Sequence, residues 1–473
     1  MSFESPSFAV FVLLVVTGFW LLAGRRTWQK LWLLAASIWF YGQFSWAFVG
    51  ILTVSVGVNW VLTPLIGGGA PRSMLFLRVA VLFNLGLLGV FKYYDFFRES
   101  LDDMLSWVGL SSHLPVLGMV LPIGISFYSF QAIAYVVELH RGTGHRPSSA
   151  LDFALFMTYF LKLLSGPIIR ARQFLPQLEG PAPPVVPDIP TAVALLFSGL
   201  FKRVILASLL SSHGVSEIMS APDNYAAAAL WVAMVGYTVQ LYCDFSGYTD
   251  LMRGVSMLMG IRLPENFNHP YVATDVGDFW RRWHMTFSNW LRDFIYFPLG
   301  GSHAGRARTY FNLFMTMFVC GLWHGASWGF IIWGSVHGVA LAAHKAMLDL
   351  RRDSGEDVTR VSAAREVAGW VYTFGLVCFS RIFFVSPTLE QAWTYLTRMF
   401  NPQSVGEGFD TLLVLAITVG MAIQFVGPWF FRHFIAVTDQ LGERNRVLLW
   451  TFCLLLLILV RPGGVSPNAY FNF

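Results

Sequence analysis

Apolar blocks long enough to cross a lipid bilayer constrain the folding of this chain more than any other feature. Phe8 to Leu22, Phe48 to Ile66, Leu75 to Phe91, Tyr225 to Cys243, Phe374 to Val385 with its flanks, Leu412 to Phe431 and Leu448 to Val460 are runs of this kind. A helix needs about 20 residues to span the hydrocarbon core. Only 12% of the residues are charged and the mean hydropathy is +0.57, whereas soluble domains run about 25% charged. The blocks lack the period-2 alternation of a membrane barrel, and lipid leaves no backbone group unpaired, so they are expected to be helices. At about 40 residues per span and loop, the 473 residues hold roughly ten or eleven spans.

The net charge of +5 fits the Lys and Arg excess of cytoplasmic loops better than a nucleic-acid surface. Phe8 to Leu22 is preceded by Glu4 and followed by Arg25, Arg26 and Lys30, the reverse of a cleavable signal. It reads as a first span with its N-terminus outside. Arg25/Arg26/Lys30, Arg72/Arg78 and Arg141/Arg146 then fall on the cytoplasmic side, with spans at about 8–24, 31–45, 47–66, 75–91 and 116–137. The four cysteines are scattered through apolar sequence, form no C-x-x-C pair and read as packing residues; no metal site is expected.

Two features break the hairpin pattern. Leu161 to Arg170 places Gly166-Pro167 after a short apolar run and is followed by the proline-rich stretch Pro181 to Pro190, which suits a re-entrant or interfacial piece. Lys202 and Arg203 interrupt Thr191 to Leu210, either snorkelling or facing a water-filled cavity. Without internal repeats, the chain reads as one membrane domain: spans over 1–115, a core over 116–347 and further spans over 366–473, with Asp349 to Glu366 as a surface loop.

Residues 240 to 345 carry the polar chemistry. Asp244-Phe-Ser-Gly-Tyr-Thr-Asp250 and Pro264-Glu-Asn-Phe-Asn-His-Pro-Tyr271 read as a turn region after a helix ending at Cys243, with Asp244 and Asp250 as helix caps or as binding groups. Over 278–297 a helical wheel puts Trp280, Trp283, Phe287, Trp290, Leu291 and Phe294 on one face, and Arg281, Arg282, Ser288, Asn289, Arg292 and Asp293 on the other. This predicts an interfacial helix lying along a membrane surface, its arginines contacting headgroups or holding the phosphates of an acyl-carrying cofactor; His284 sits on the border of the two faces.

Tyr310 to Ala343 contains no Asp, Glu, Lys or Arg, is too long for one span, and carries Gly321-Leu-Trp-His-Gly325 in its middle. The glycines at 321, 325 and 329 predict a break or a tight helix pair. His324 is then an imidazole inside the membrane, either bonded to a carbonyl in the core or functional, and function is the default for so costly a group. His337 reads as ordinary packed helix. There is no Walker A loop and no H-E-x-x-H. Acyl transfer from a thioester to an alcohol needs little beyond a base, an oxyanion donor and exclusion of water, and a buried histidine suits the first of these.

At these residues the chain resembles the membrane-bound O-acyltransferase family, in the branch of the bacterial alginate O-acetyltransferase membrane component. The similar stretches are Leu121 to Gln131, Ser165 to Arg170, Gln240 to Asp250, Pro264 to Tyr271, Asp278 to Gly301 and Gly321 to Gly325, with the aromatic tail Tyr470-Phe-Asn-Phe473. The resemblance implies an all-α polytopic fold of about eleven transmembrane helices, with re-entrant and interfacial helices around a central tunnel. It implies that His324 is the catalytic histidine and His284 a second active-site residue; Arg281, Arg282, Asp244, Asn289 and Trp323 are held as candidates for binding substrate or cofactor. It further implies acetyl-CoA as donor, a bacterial inner-membrane location, and an extracytoplasmic SGNH-type acyltransferase with polysaccharide machinery as partners. D-alanyl transfer to teichoic acid from a carrier protein is the rival within the family. A transporter or flippase of lipid-linked sugar is the rival outside it, and its inverted repeats are missing.

Overall fold

The structure is a computed structural model that describes residues 5–67, 72–110, 113–180, 188–358 and 362–460. The aromatic tail and residues 181–187 of the proline-rich stretch lie outside these. The described residues are helical, with one isolated bridge between Tyr225 and Glu407. The protein is a multi-pass membrane protein. Five helices among the described residues are long and apolar enough to cross a membrane: Trp46–Ile66, Ser73–Ser106, Ile189–Ser220, Ala363–Val385 and Thr411–Gln440. Their outward faces carry residues such as Val61, Leu82, Val371 and Phe425 in the open, as a helix surface solvated by lipid should.

The chain divides into two compact units, Met1–Ile189 with Val255–Pro264, and Pro190–Gly254 with Glu265–Phe473. In the first, α1 (Pro6–Leu21), α2 (Arg26–Gly42), α3 (Trp46–Ile66), α4 (Ser73–Ser106), α5 (Ile125–His140), α6 (Ala150–Thr158) and α7 (Ala171–Glu179) pack together. Polar groups fasten them where hydrophobic contrast with lipid is absent. Asn59 and Asn84 exchange amide hydrogen bonds of 3.0 and 3.3 Å between α3 and α4, and Lys30 meets Asp152 at 2.5 Å. The span expected at 116–137 is corrected: 113–122 has no regular secondary structure and the helix begins only at Ile125, after Gly124 at φ +78°. The interrupted piece around Leu161 is present as the short helix Phe160–Leu163, buried, with Lys162 Nζ donating to Gln131 Oε1 at 2.6 Å.

The second unit holds α8 (Ile189–Ser220), most of α9 (Ala227–Leu258), α10 (Val276–Arg282), α11 (Met285–Leu291), α12 (Arg306–His324), α13 (Trp328–Asp353), α14 (Ala363–Val385), α15 (Leu389–Phe400), α16 (Thr411–Gln440) and α17 (Glu443–Leu459). The helix expected to stop at Cys243 runs on to Leu258, so Asp244 and Asp250 are interior residues and cap nothing. Asp244 instead pairs with Arg203 of α8 at 2.7 Å, with both side chains buried, and the partner lies 41 residues away in sequence. The charge-free segment folds as the tight pair the glycines foretell. α12 and α13 turn back at Gly325–Ser327, and a Cβ on Gly321 would run into the Phe330 carbonyl and stand 2.9 Å from the Gly334 Cα. α13 continues to Asp353, which shortens the surface loop expected from Asp349. Beyond it Glu356 accepts from Arg351 and Arg365, and these bonds push its carboxyl down to about 2.

Because backbone is the obstacle at Gly321, Gly321→Ala should force the two helices apart and cost about 1–3 kcal/mol. The midpoint of thermal unfolding in detergent should fall accordingly, while Gly50→Ala on α3, where the Cβ meets open space, should leave it unchanged.

Candidate active site

The expected surface helix over 278–297 is two helices with a break at Trp283–His284. Asp275 caps α10 by accepting from Asp278 N at 2.7 Å. The chain then leaves the helix, with His284 left-handed at φ +44°. The cause lies outside the segment: Asn268 N donates to Arg282 O at 2.9 Å and Met285 N to Asn266 O at 2.8 Å, so residues 266–268 take over the backbone groups that would have continued the helix. The tryptophans consequently face protein, not headgroups; Trp283, Phe287 and Trp290 are each at most 3% exposed.

Asn266 also fixes the imidazole at the break. Its Oδ1 accepts from Thr286 N at 3.2 Å and from Thr286 Oγ1 at 2.8 Å, and stands 3.2 Å from His284 Nδ1. A backbone N–H can only donate, so the amide oxygen is the atom turned toward His284, and Nδ1 must carry the hydrogen. In the neutral ring the lone pair is then on Nε2.

His324 ends α12, 8% exposed. Its ring centroid lies 4.5 Å from Trp323, 4.9 Å from Trp333, 5.0 Å from Phe384 and 6.3 Å from both Phe287 and Phe330. His284 lies 5.0 Å from Phe287 and 6.2 Å from Trp323, whose rings are 4.0 Å apart. The two histidines thus flank one close, tilted aromatic pair. Of the candidates from sequence, Trp323 joins them there. Arg281 and Arg282 are engaged by Asp278, Arg282 Nε at 2.7 Å, and Asn289 is exposed. Asp244 holds Arg203. His337 is packed as read, bonded to Ser380 Oγ at 3.0 Å.

Two cavities lie near this cluster at opposite ends of α8. A charged one of about 440 Å³ is lined by Ser198 and Lys202 of α8, Asp250 and Arg253 of α9, and Phe267 and His269. Lys202 donates to Asp250 at 2.5 Å, so of the two readings of this lysine the cavity-facing one holds. Phe267 connects this cavity to His284, 6.4 Å away. A second cavity, of about 570 Å³, is lined by Ser216 and Ser220 of α8, Tyr237 and Gln240 of α9, and Gly325, Phe330 and Phe384 beside His324. Gln240 and Asn266 stand within the longer motifs Gln240 to Asp250 and Pro264 to Tyr271, which assign neither a role, and Ser386 of this cavity wall carries no sequence signal.

The sequence profile described as the membrane-bound O-acyltransferase family matches residues 142–386. A probable alginate O-acetylase of Pseudomonas aeruginosa is 35% identical over 410 residues, covering 85% of this chain and 75% of the relative. A peptidoglycan O-acetyltransferase of Helicobacter pylori is 33% identical over 436 residues, covering 85% and 80%. This chain belongs to the membrane-bound O-acyltransferase family. A teichoic acid D-alanyltransferase of Streptococcus thermophilus is 27% identical, covering 75% of the chain and 92% of the relative. This acyltransferase therefore falls in the alginate O-acetylase branch, and the transporter reading is set aside.

Removing the Asn266 amide leaves Thr286 N–H and the His284 ring without their acceptor at a cost of about 1–3 kcal/mol for each buried group. Asn266→Ala should lower the turnover of this acyltransferase at least tenfold and reduce its thermal stability; thioester turnover and unfolding midpoints check this.

Proposed function

We propose that this membrane O-acetyltransferase moves an acetyl group from cytoplasmic acetyl-CoA through the bacterial inner membrane for O-acetylation of a secreted polysaccharide such as alginate, with an extracytoplasmic SGNH-type acyltransferase as the receiving partner. The observation that carries this reading is the histidine pair with a cavity approaching it from each end of α8. A donor and an acceptor that never share a compartment need such an arrangement. The charged cavity, with Lys202, Arg253 and Arg432 on its wall, is assigned to the cytoplasmic side in this reading. This agrees with the excess of Lys and Arg on cytoplasmic loops. The other cavity, beside His324, then faces out.

In the proposed reaction the acceptor hydroxyl gives its proton to His324 as its oxygen attacks the thioester carbonyl. The new C–O bond forms, the C–S bond breaks, and the departing thiolate takes up a proton, so that alcohol and thioester become ester and thiol. The His284 tautomer bears on its part in this. Neutral, with hydrogen on Nδ1, it offers Nε2 as an acceptor of a proton. Backbone N–H groups are accordingly the better oxyanion donors, as at other acyl-transfer sites. The aromatic rings around both imidazoles keep water away from an activated ester. The acetyl donor is favoured over D-alanyl because the relatives named for O-acetylation match at 33–35% identity and those named for D-alanylation at 27–29%.

His324→Ala in lipid nanodiscs should lower acetyl transfer from acetyl-CoA about 10²- to 10⁴-fold, the contribution of a general base, with size-exclusion profile and unfolding midpoint retained. Wild-type turnover in that variant would end the proposal, and faster turnover of a D-alanyl carrier thioester would replace the donor.

A further inference from the structure

We infer that the cavity beside His324 holds the acceptor through Gln240 and Ser386 and is built for an uncharged alcohol, so that a uronate unit is not the immediate acceptor. This rests on the acetyl-transfer reading above. Gln240 is 1% exposed and Ser386 8% exposed, both line the cavity, and neither Gln240 Oε1 nor Ser386 Oγ has a hydrogen-bond partner. The serines of α8 on the same wall are served by the chain itself, Ser216 with Ser211 at 3.0 Å and Ser220 donating to Glu217 O at 2.9 Å. A buried polar atom without a partner costs about 1–3 kcal/mol, and such atoms in folded proteins are satisfied by a ligand or by water. These two are orphaned on a wall shared with Gly325, Phe330 and Phe384, the neighbours of His324.

The chemistry narrows the ligand further. A reacting hydroxyl has one hydrogen, and His324 takes it, so Gln240 Oε1 must accept from a second donor on the same molecule. That donor is an adjacent hydroxyl of a sugar or an amide N–H flanking a hydroxyl side chain. No Asp, Glu, Lys or Arg is among the described residues that line this cavity, in contrast to the charged cavity at the other end of α8, and His324 stands behind the wall residues Gly325, Phe330 and Phe384. The guanidinium of Arg381 on α14 lies over the rings of Trp283, Trp333 and Phe384 at 4.8, 5.8 and 5.1 Å and does not line it. A carboxylate entering there would lose its hydration without gaining a cation, which is strongly unfavourable.

The full-length protein in nanodiscs, supplied with acetyl-CoA, is offered methyl glucoside, N-acetylserine amide and methyl glucuronoside, and ester formation is followed by mass spectrometry. The neutral acceptors should be acetylated, and the uronate should show at least a tenfold higher KM. Whichever neutral probe is preferred identifies a sugar or a protein side chain as the source. Gln240→Met and Ser386→Ala should each raise the acceptor KM about tenfold, the worth of one hydrogen bond, with kcat and the KM for acetyl-CoA unchanged, and Ser386→Thr should restore it. Equal use of the uronate, or an acceptor KM unmoved by Gln240→Met, overturns the inference and leaves the acetyl-transfer reading standing. Failure of folded wild-type protein to consume acetyl-CoA with any alcohol overturns both.

Discussion

Three hydrogen bonds converge on one oxygen, Asn266 Oδ1, and the geometry of the site depends on them. With the backbone bonds of Asn266 and Asn268 they stop a helix in its course, turn His284 into a left-handed conformation and choose which ring nitrogen bears the hydrogen. A left-handed non-glycine residue is costly, and it persists where the surroundings over-determine it. Here the surroundings are aromatic: Phe245, Phe267 and Phe287 all contact the ring. A histidine on an uninterrupted helix would have pointed outward with the rest of its face. The break is what brings it inward.

The second constraint is lipid. A bilayer offers charged groups no hydration, so those within the spans are matched inside the protein. Arg203 and Asp244 are both almost fully buried, and Asp250 gathers Lys202, Ser198 and Arg253. Such pairs gain little net stability over apolar packing. Removing either partner, however, would leave a buried charge uncompensated, so they hold α8 and α9 in register. That register sets the two cavity walls, because residues of the same two helices line one cavity near Lys202 and the other near Gln240.

Legibility in the sequence follows the range of the cause. The helix pair α12–α13 was readable because everything that makes it is local: no charges from Tyr310 to Ala343, glycines where backbones meet, and a histidine at the turn. The apolar spans were readable for the same reason. The surface-helix reading of 278–297 failed because an amphipathic period does not say whether the apolar face meets headgroups or protein, and because Asn266 stops the helix from outside it. The caps assigned to Asp244 and Asp250 failed likewise, since Arg203 and Lys202, which engage them, lie more than forty residues back. Gln240 stood at the head of a quoted motif, but nothing in its neighbours reveals the cavity it faces. Ser386 joins that wall only because α14 ends there.

The aromatic pair Phe287–Trp323 explains why two histidines are set apart instead of one being placed in open water. A thioester is stable enough to travel but is hydrolysed readily by an activated water, so a base open to both aqueous sides would waste the donor. The tilted rings between His284 and His324 give each imidazole an apolar neighbour. The same layer bears on specificity. In the proposed reaction the cavity that carries the cations suits a phosphate-bearing donor, and the neutral one suits an uncharged alcohol. The side from which each substrate enters then follows, in that reaction, from the distribution of charge along α8 and α9.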